Sequence, residues 1–590
     1  MSTESTDSRA SDPGWIPLAA FAPLRPAEQL LLRAYVDGGI ARVGLRRPIV
    51  PTSDITIRGE FVSYLVRGGR DTPFAVRPLQ IVGAWIDGRV DLRQATVPES
   101  LWFFRCVFNA TPRLEGARCG GNVSFPGSLL PGLRAEDCTV AGSLDLNSGC
   151  IVRTEVRLAR ATIGEDLNLD RLQLRSAERS DTPFQRRLSA DGARIDGNAL
   201  LAGGLESDGD LRLVGLRVAG DLRASRARIS GDVDDEGSRG VALNLDQARI
   251  AGSVLLDHGF SASGVVRLKQ ARIAGDLDCT GAAFDALGDI AWRGHTPLAL
   301  DRARIGGTLG LARQVRPLHG ASLAATDAQV LADDATTWGE PLTLDGFQYR
   351  QFAAASSAEA AFRIDWLKRQ LPAHLDKDYK DQPWRQLIRV LRRAGRHDTA
   401  REVAVARESH TRRIGRVGAS APWGLRWAAR AGHGVLGLLA GYGYRPLRVV
   451  TGLAVMWLAC GALYWVAAEN GAIAPANPAV YNDPKLAHCR AAAPSVEPVS
   501  WTRCPELPAE HPAFRPFAYS LDLLLPFVDL RQREVWTSLD SHRPAGRSGD
   551  TATEQWGVVS RVAAWYEGLA GWFALALLGW WVLRRFERDR

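Results

Sequence analysis

Several chemical signatures are missing from this chain of 590 residues. No Walker A lysine motif, HExxH, GxSxG or paired CxxC occurs, and the ten histidines are dispersed. These gaps remove the common sequence routes to a phosphate cradle, a zinc hydrolase, a serine acyl-enzyme and a cysteine-based metal or redox centre. No metal site, cofactor or catalytic residue is therefore nominated. Long apolar runs are absent until the last quarter. The stretch MSTESTDSRASDPG, residues 1–14, is polar and reads as disordered; it has no apolar h-region, so no signal peptide is expected. Two near matches also fail. GHGVLG, Gly432 to Gly437, has the GxGxxG spacing, but a helical pattern precedes it where the dinucleotide fold needs a strand. GYG at 441–443 lacks the Thr-Val lead-in of a potassium filter.

The last quarter supplies what the rest lacks. Val449 to Ala468 (449–468) is an uncharged run of about 20 residues, enough for a helix to cross roughly 30 Å of hydrocarbon. Gly568 to Leu583 (568–583) is a shorter second candidate, with Trp572, Trp580 and Trp581 suited to an interfacial belt. Arg412, Arg413, Arg416, Arg426, Arg430, Arg445 and Arg448 precede the first run. Arg584, Arg585, Arg588 and Arg590 follow the second, in the basic tail 584–590. The positive-inside rule then puts both termini in the cytoplasm and residues 469–567 outside. Cys489 and Cys504 are the only cysteines of that outer segment, where a disulfide is allowed; the other six read as reduced, buried thiols. The net charge of +8 is met more simply by an anionic membrane surface than by nucleic acid.

A repeat dominates the first half. AGSLDL, ATIGEDLNL, ARIDGNAL, ARIAGSVLL, ARIAGDLDC and ARIGGTLGL share one pattern. Its glycines fall at 142, 164, 197, 220, 231, 252, 275 and 307, with gaps of 22, 33, 23, 11, 21, 23 and 32. All are close to multiples of eleven. Leu213, Val218, Ala224 and Ile229 lie five, six and five apart. That spacing suits a coil of about 22 residues with four short sides, stacked by parallel pairing. The expected class is mainly β: a right-handed parallel β-helix over 79–346, with glycine permitting corner bends. SAERSDTPFQRR and DALGDIAWRGHTP read as loops inserted between coils. Asp221, Asp232 and Asp276, each following a glycine, suit a solvated corner or an amide-capping role rather than a calcium ladder.

Other segments read as helices. Residues 15–78, with PAEQLLLRAYVDGGIARVG and GEFVSYLVRGG, are expected to cap the open end of the solenoid core. Residues 355–416 form a tetratricopeptide-like hairpin. One stripe holds Phe362, Trp366 and Leu367, another Leu387, Ile388 and Leu391, and a third Ala400, Val403, Ala404 and Ala406. Residues 420–446 mix Trp, Leu and Arg and suit the inner membrane face.

With IRGEFVSYLVRGG, VGAWIDGRVDL, LLPGLRAEDCTVAGSL, ARIAGDLDC and YSLDLLLPFVDL in view, the chain from about residue 50 onward resembles uncharacterised bacterial membrane proteins with pentapeptide-like repeats. Members are sometimes labelled membrane-associated oxidoreductases. The resemblance implies architecture and a bacterial inner membrane; it brings no catalytic residues.

PFAYSLDLLLPFVDL, residues 516–530, is the candidate functional element. Fifteen helical residues reach only about 22 Å, so an interfacial or re-entrant helix is expected. Asp522 and Asp529 are seven apart and share a face of an unbroken helix. The acids then meet water or line a polar pathway, while Tyr519 and Trp536 anchor the ends at the headgroups. The leading function is a non-enzymatic, membrane-anchored scaffold that offers its cytoplasmic solenoid or helical hairpin to a protein partner. The alternative is a two-span channel or transporter, which requires a homo-oligomer. An oxidoreductase ranks third.

Overall fold

The computed structural model describes residues 17–67, 77–176, 186–231, 240–284, 296–416, 422–440, 442, 447–486, 489, 500–508, 510–539 and 551–588. Residues 1–14, Asp232, most of both expected insertions, Gly441, Gly443, Arg445 and Arg590 lie outside these, as do the side chains of Trp580 and Trp581. Two compact units, Met1–Val403 and Ala404–Arg590, divide the chain.

Short strands pair in parallel throughout the first unit, in sheets of 21, 10 and 7 strands. One row of register partners runs Thr139, Thr162, Arg194, Arg217, Arg249, Arg272, Arg304 and Asp327. Successive intervals are 23, 32, 23, 32, 23, 32 and 23 residues, so every second repeat carries about nine extra. Leu213, Val218, Ala224 and Ile229 are all buried, as their five- and six-residue spacing predicts. Helices nevertheless make up 31% of the chain, more than a mainly β class expects.

The repeat glycines have a different task from the one expected. None of the eight has a positive φ; left-handed turn positions are filled by other glycines, among them Gly192, Gly215 and Gly281, and by Asp137, Arg160, Arg226, Gln247 and Gln270. Instead, a Cβ at Gly142, Gly197, Gly220, Gly252 or Gly307 would collide with the Asn or Asp side-chain oxygen of the preceding repeat. That oxygen accepts the N–H of the residue after the glycine. Asn198 donates to Asp166 (2.6 Å), Asp221 to Asn198 (3.0 Å), Ser253 to Asp221 (2.9 Å) and Thr308 to Asp276 (2.5 Å). Glycine is needed for the close approach, and Asp221 and Asp276 cap backbone amides.

Parallel pairing starts before residue 79 and ends beyond 346. Ala41 pairs with Ile81, Thr56 with Trp85, and the last parallel strand among the described residues is Gln348–Phe352. Within the expected first helix, only Pro26–Asp37 is helical. Gly38 in the left-handed region (φ 71°) ends it, and Ala41–Arg42 joins a sheet. Glu28 of this helix is fully buried and ion-paired to Arg58 at 2.7 Å. At the other end the helix Ala360–Lys368 buries Trp366, Leu367 and, unexpectedly, Arg363. The Arg363 guanidinium meets Asp333 in two parallel bonds of 2.6 and 2.8 Å and lies 3.8 Å over the Phe352 ring. The helix Gln382–Arg393 buries Leu387, Ile388 and Leu391. Its Gln382 and Gln386 amides donate to the carbonyls of Phe347 and Tyr349, and Gln382 Oε1 accepts the Gly346 N–H, which occupies donors and acceptors at the sheet end.

The second unit holds the helices Trp423–Ala440, Leu447–Glu469, Pro516–Leu524 and Thr551–Arg588. Ile473–Pro475 and Trp536–Ser538 form a small antiparallel ribbon. Among the described residues, two helices are long and apolar enough to cross a membrane: Leu447–Glu469 and Gln555–Gly579. The second window begins well before Gly568, because one helix runs unbroken through Glu567, where the outer segment was expected to end.

Candidate functional site

The stretch 516–530 is not one helix. Pro516 sits in the first turn, where its missing N–H costs nothing, and helix ends at Leu524, before Pro526. This short helix wedges between the two long ones. On one side the Phe517 ring lies where a Cβ on Gly461 would be, and Trp457 Nε1 donates to the Phe517 carbonyl at 2.8 Å. On the other, the Leu524 carbonyl occupies the space of a Cβ on Gly571. Small residues permit this approach.

At the junction of the three helices sits a group of side chains that sequence reading missed. Ser520, Glu567 and Tyr464 are each fully buried. Tyr464 donates to Glu567 Oε2 at 2.9 Å, Ser520 Oγ bonds Glu567 Oε1, and Ser520 Oγ also reaches the Trp457 carbonyl at 3.1 Å. A serine hydroxyl has one proton to donate. That proton is shared between the Glu567 carboxyl and the Trp457 carbonyl. The signal in the sequence was a lone glutamate inside the extended apolar pattern VVSRVAAWYEGLAGWFALALL.

The two aspartates part company. Asp522 is fully buried and accepts the N–H groups of Leu530 (3.1 Å), Gln532 (2.9 Å) and Arg533 (2.9 Å), with Arg533 Nε at 4.0 Å. Its carboxylate folds the chain 525–533 back onto the helix. Asp529 is exposed and, among the described residues, accepts only the Arg531 N–H at 2.9 Å. The expected shared face does not exist, because the helix ends between them. Tyr519 and Trp536 are not surface anchors either. They are 4% and 1% exposed, in one apolar cluster with Tyr464, Ile473 and Trp501. Trp536 Nε1 donates to the Pro512 carbonyl at 3.0 Å, and the Tyr519 ring meets Tyr464 edge-on at 5.0 Å. Cys489 and Cys504 are disulfide-bonded within that cluster, with Cα atoms 6.0 Å apart. Glu506 lies beside them, but sulfurs joined to each other are not thiolate ligands.

In the first unit, the free cysteines 106, 119, 138, 150 and 279 are buried. Desolvation pushes the Cys106 and Cys138 thiols up to about 12 and Cys119 to about 11, which disfavours the nucleophilic thiolate. Gly432 to Gly437 lie inside the helix Trp423–Ala440, so they form no loop to cradle a pyrophosphate.

Charge on the strand rows is arranged unevenly. In the seven-stranded sheet, arginines other than Arg134 meet acids. Arg157 pairs with Glu155 (2.7 Å), Arg212 with Asp191 (2.5 Å) and Arg267 with Asp246. In the 21-stranded sheet, Arg194, Arg217, Arg249, Arg272 and Arg304 are exposed register partners. Arg194 pairs with Asp196 at 2.8 Å. The other four have no ion pair or side-chain hydrogen bond among the described residues.

No protein-family model matches this chain, and neither a curated protein nor a solved structure does.

Proposed function

We propose that this protein is a membrane-anchored scaffold. Its first unit is a right-handed parallel β-helix of the pentapeptide-like kind, held at the inner face of a bacterial membrane by two spans. It offers a strand face to a protein partner, with no nucleic acid involved. Both termini lie in the cytoplasm, on the side where the flanking arginines cluster. Large apolar side chains left exposed on the two long helices, among them Val455, Leu458, Trp465, Leu569, Trp572 and Phe573, suit contact with lipid.

The observation that carries this reading is the contrast in how the two units use charge. Asp522 and Glu567, the buried acids available to a pathway in the second unit, are engaged by internal hydrogen bonds. Arg217, Arg249, Arg272 and Arg304 of the first unit have no ion pair among the described residues. An anchor with satisfied acids and a face with unsatisfied cations fit a docking protein better than a pore. The channel reading rests on one observation, a carboxyl midway along an apolar helix. Ion flux in liposomes separates the two. The scaffold reading expects no flux above empty vesicles and a reproducible protein cross-linked to the first unit in native membranes. Flux that Glu567→Gln abolishes would replace it with the channel.

A further inference from the structure

The face left bare in the first unit has a defined geometry. Arg217, Arg249, Arg272 and Arg304 are consecutive register partners, so neighbouring strands set their Cα atoms about 4.8 Å apart. Like charges directly opposite each other on parallel strands repel, yet here they recur over four successive strands. Two residues along each strand, on the same side of the sheet, stand Ala219, Ala251, Ala274 and Gly306. Between the two lies the row Val218, Ile250, Ile273 and Ile305, buried on the other side. The result is an open groove of about 560 Å³ with a small-residue floor and a guanidinium rim. Arg194 with Asp196 lines one end, and Asp327 lines the other.

The spacing selects among polyanions. A ligand lying along this groove must present a negative charge about every 4.8 Å. An extended strand offers same-side residues about 6.7 Å apart, and one strand of duplex DNA offers a phosphate about every 3.4 Å of its axis. An α-helix advances about 5.4 Å per turn, so an acidic stripe drifts by only about 0.6 Å per arginine, or roughly 1.8 Å over the four. Arginine side chains absorb that drift. Floor residues no larger than alanine let the flank of a helix settle against the sheet.

Taking the scaffold reading as its premise, we propose that this groove is the docking site for an α-helix with an acidic stripe, supplied by a protein partner, whose successive-turn carboxylates meet Arg217, Arg249, Arg272 and Arg304.

The test uses the full chain in lipid nanodiscs of neutral lipid. The probe is a labelled helical peptide of about 22 residues in an alanine and glutamine background, with one glutamate per turn along one side. Its control has the same composition with the glutamates spread around the helix. Fluorescence anisotropy at low salt should show the striped peptide binding at least about tenfold more tightly than the control. The combined variant Arg217→Gln, Arg249→Gln, Arg272→Gln and Arg304→Gln should lose at least tenfold in affinity while keeping the wild-type far-ultraviolet spectrum. Equal binding of both peptides, or of the variant and wild type, overturns the proposal. So does tighter, arginine-dependent binding of anionic vesicles or of a single-stranded oligonucleotide. Cross-linking in native membranes keeps this separate from the premise. A partner linked elsewhere on the first unit leaves the scaffold reading intact and rejects the groove. Ion flux with no partner linked to the first unit rejects the scaffold reading itself.

Discussion

In the first unit, Glu28 and Asp333 are buried, and each meets an arginine: Arg58 at 2.7 Å, and Arg363 through two parallel bonds. In the second, Asp522 and Glu567 are equally buried, and their hydrogen bonds come from backbone amides and hydroxyls. The difference follows from what each unit is made of. Arg58 and Arg363 sit near the two ends of the stack of strands. There a guanidinium finds a carboxylate, carbonyls and an aromatic face close by. Among long apolar helices a buried guanidinium is costly to desolvate, whereas a hydroxyl or an amide brings a donor without a second charge.

The largest expected effect breaks the arginine side of this comparison. Arg363→Leu leaves the Asp333 carboxylate, among the described residues, with only the Trp338 Nε1 donor, 2.7 Å away in this structure. A loss of about 3–5 kcal/mol is expected in denaturant unfolding of the first unit. Adding Asp333→Leu should return most of it. A single variant as mild as the double one would show that the pair is not a unit.

The amide side is sharpened by the two aspartates. Asp522→Asn removes the charge that three N–H groups point at and should cost the second unit about 2–3 kcal/mol. Asp529→Asn should stay within about 0.5 kcal/mol. Hydrogen exchange of the Leu530, Gln532 and Arg533 amides reads the difference directly. Equal protection in the two variants would contradict the assignment.

Acid tests the other capped end. Burial raises the Glu28 carboxyl, but hydrogen bonds from Arg58 and the backbone N–H of Arg25 outweigh it and hold the group below its usual 4.5. A lowered folded value means the contribution is complete above pH 4.5 and fades as pH falls through the folded value. Glu28→Gln should therefore flatten the acid limb of the stability curve below pH 4.5 and leave its slope above pH 6 unchanged.

The smallest effect concerns the bare arginines. Arg249→Gln removes a like charge from between Arg217 and Arg272, so stability should rise, by less than about 0.5 kcal/mol at low salt. Added salt should erase the gain. A loss instead would mean that the row is already paired.

Much of the first unit was legible. Glycine gaps near multiples of eleven match strands that pair at intervals of 23 and 32 residues. The third long interval was also present, as 11 plus 21 between Gly220 and Gly252. Gly192, Gly215 and Gly281 do sit at left-handed turns, but the eight repeat glycines do not. Those eight were misassigned because a corner bend and a close approach leave the same letter in a sequence. Only the neighbouring repeat shows that Asn198 or Asp221 fills the space. In the second unit the two long apolar helices were visible, but their partners were not. Ser520, Tyr464 and Glu567 are 47 and 103 residues apart where they meet, and no local period links them.

The chain's own pattern thus determined the stacked strands and the long apolar helices, because inward and outward positions recur at short, fixed intervals along the backbone. Tertiary structure alone decided which acids are buried, which arginines lack counter-ions, and that Tyr519 and Trp536 belong to a core. Those outcomes depend on which distant segment supplies the next donor, and desolvation makes that choice only once the helices and strands have packed.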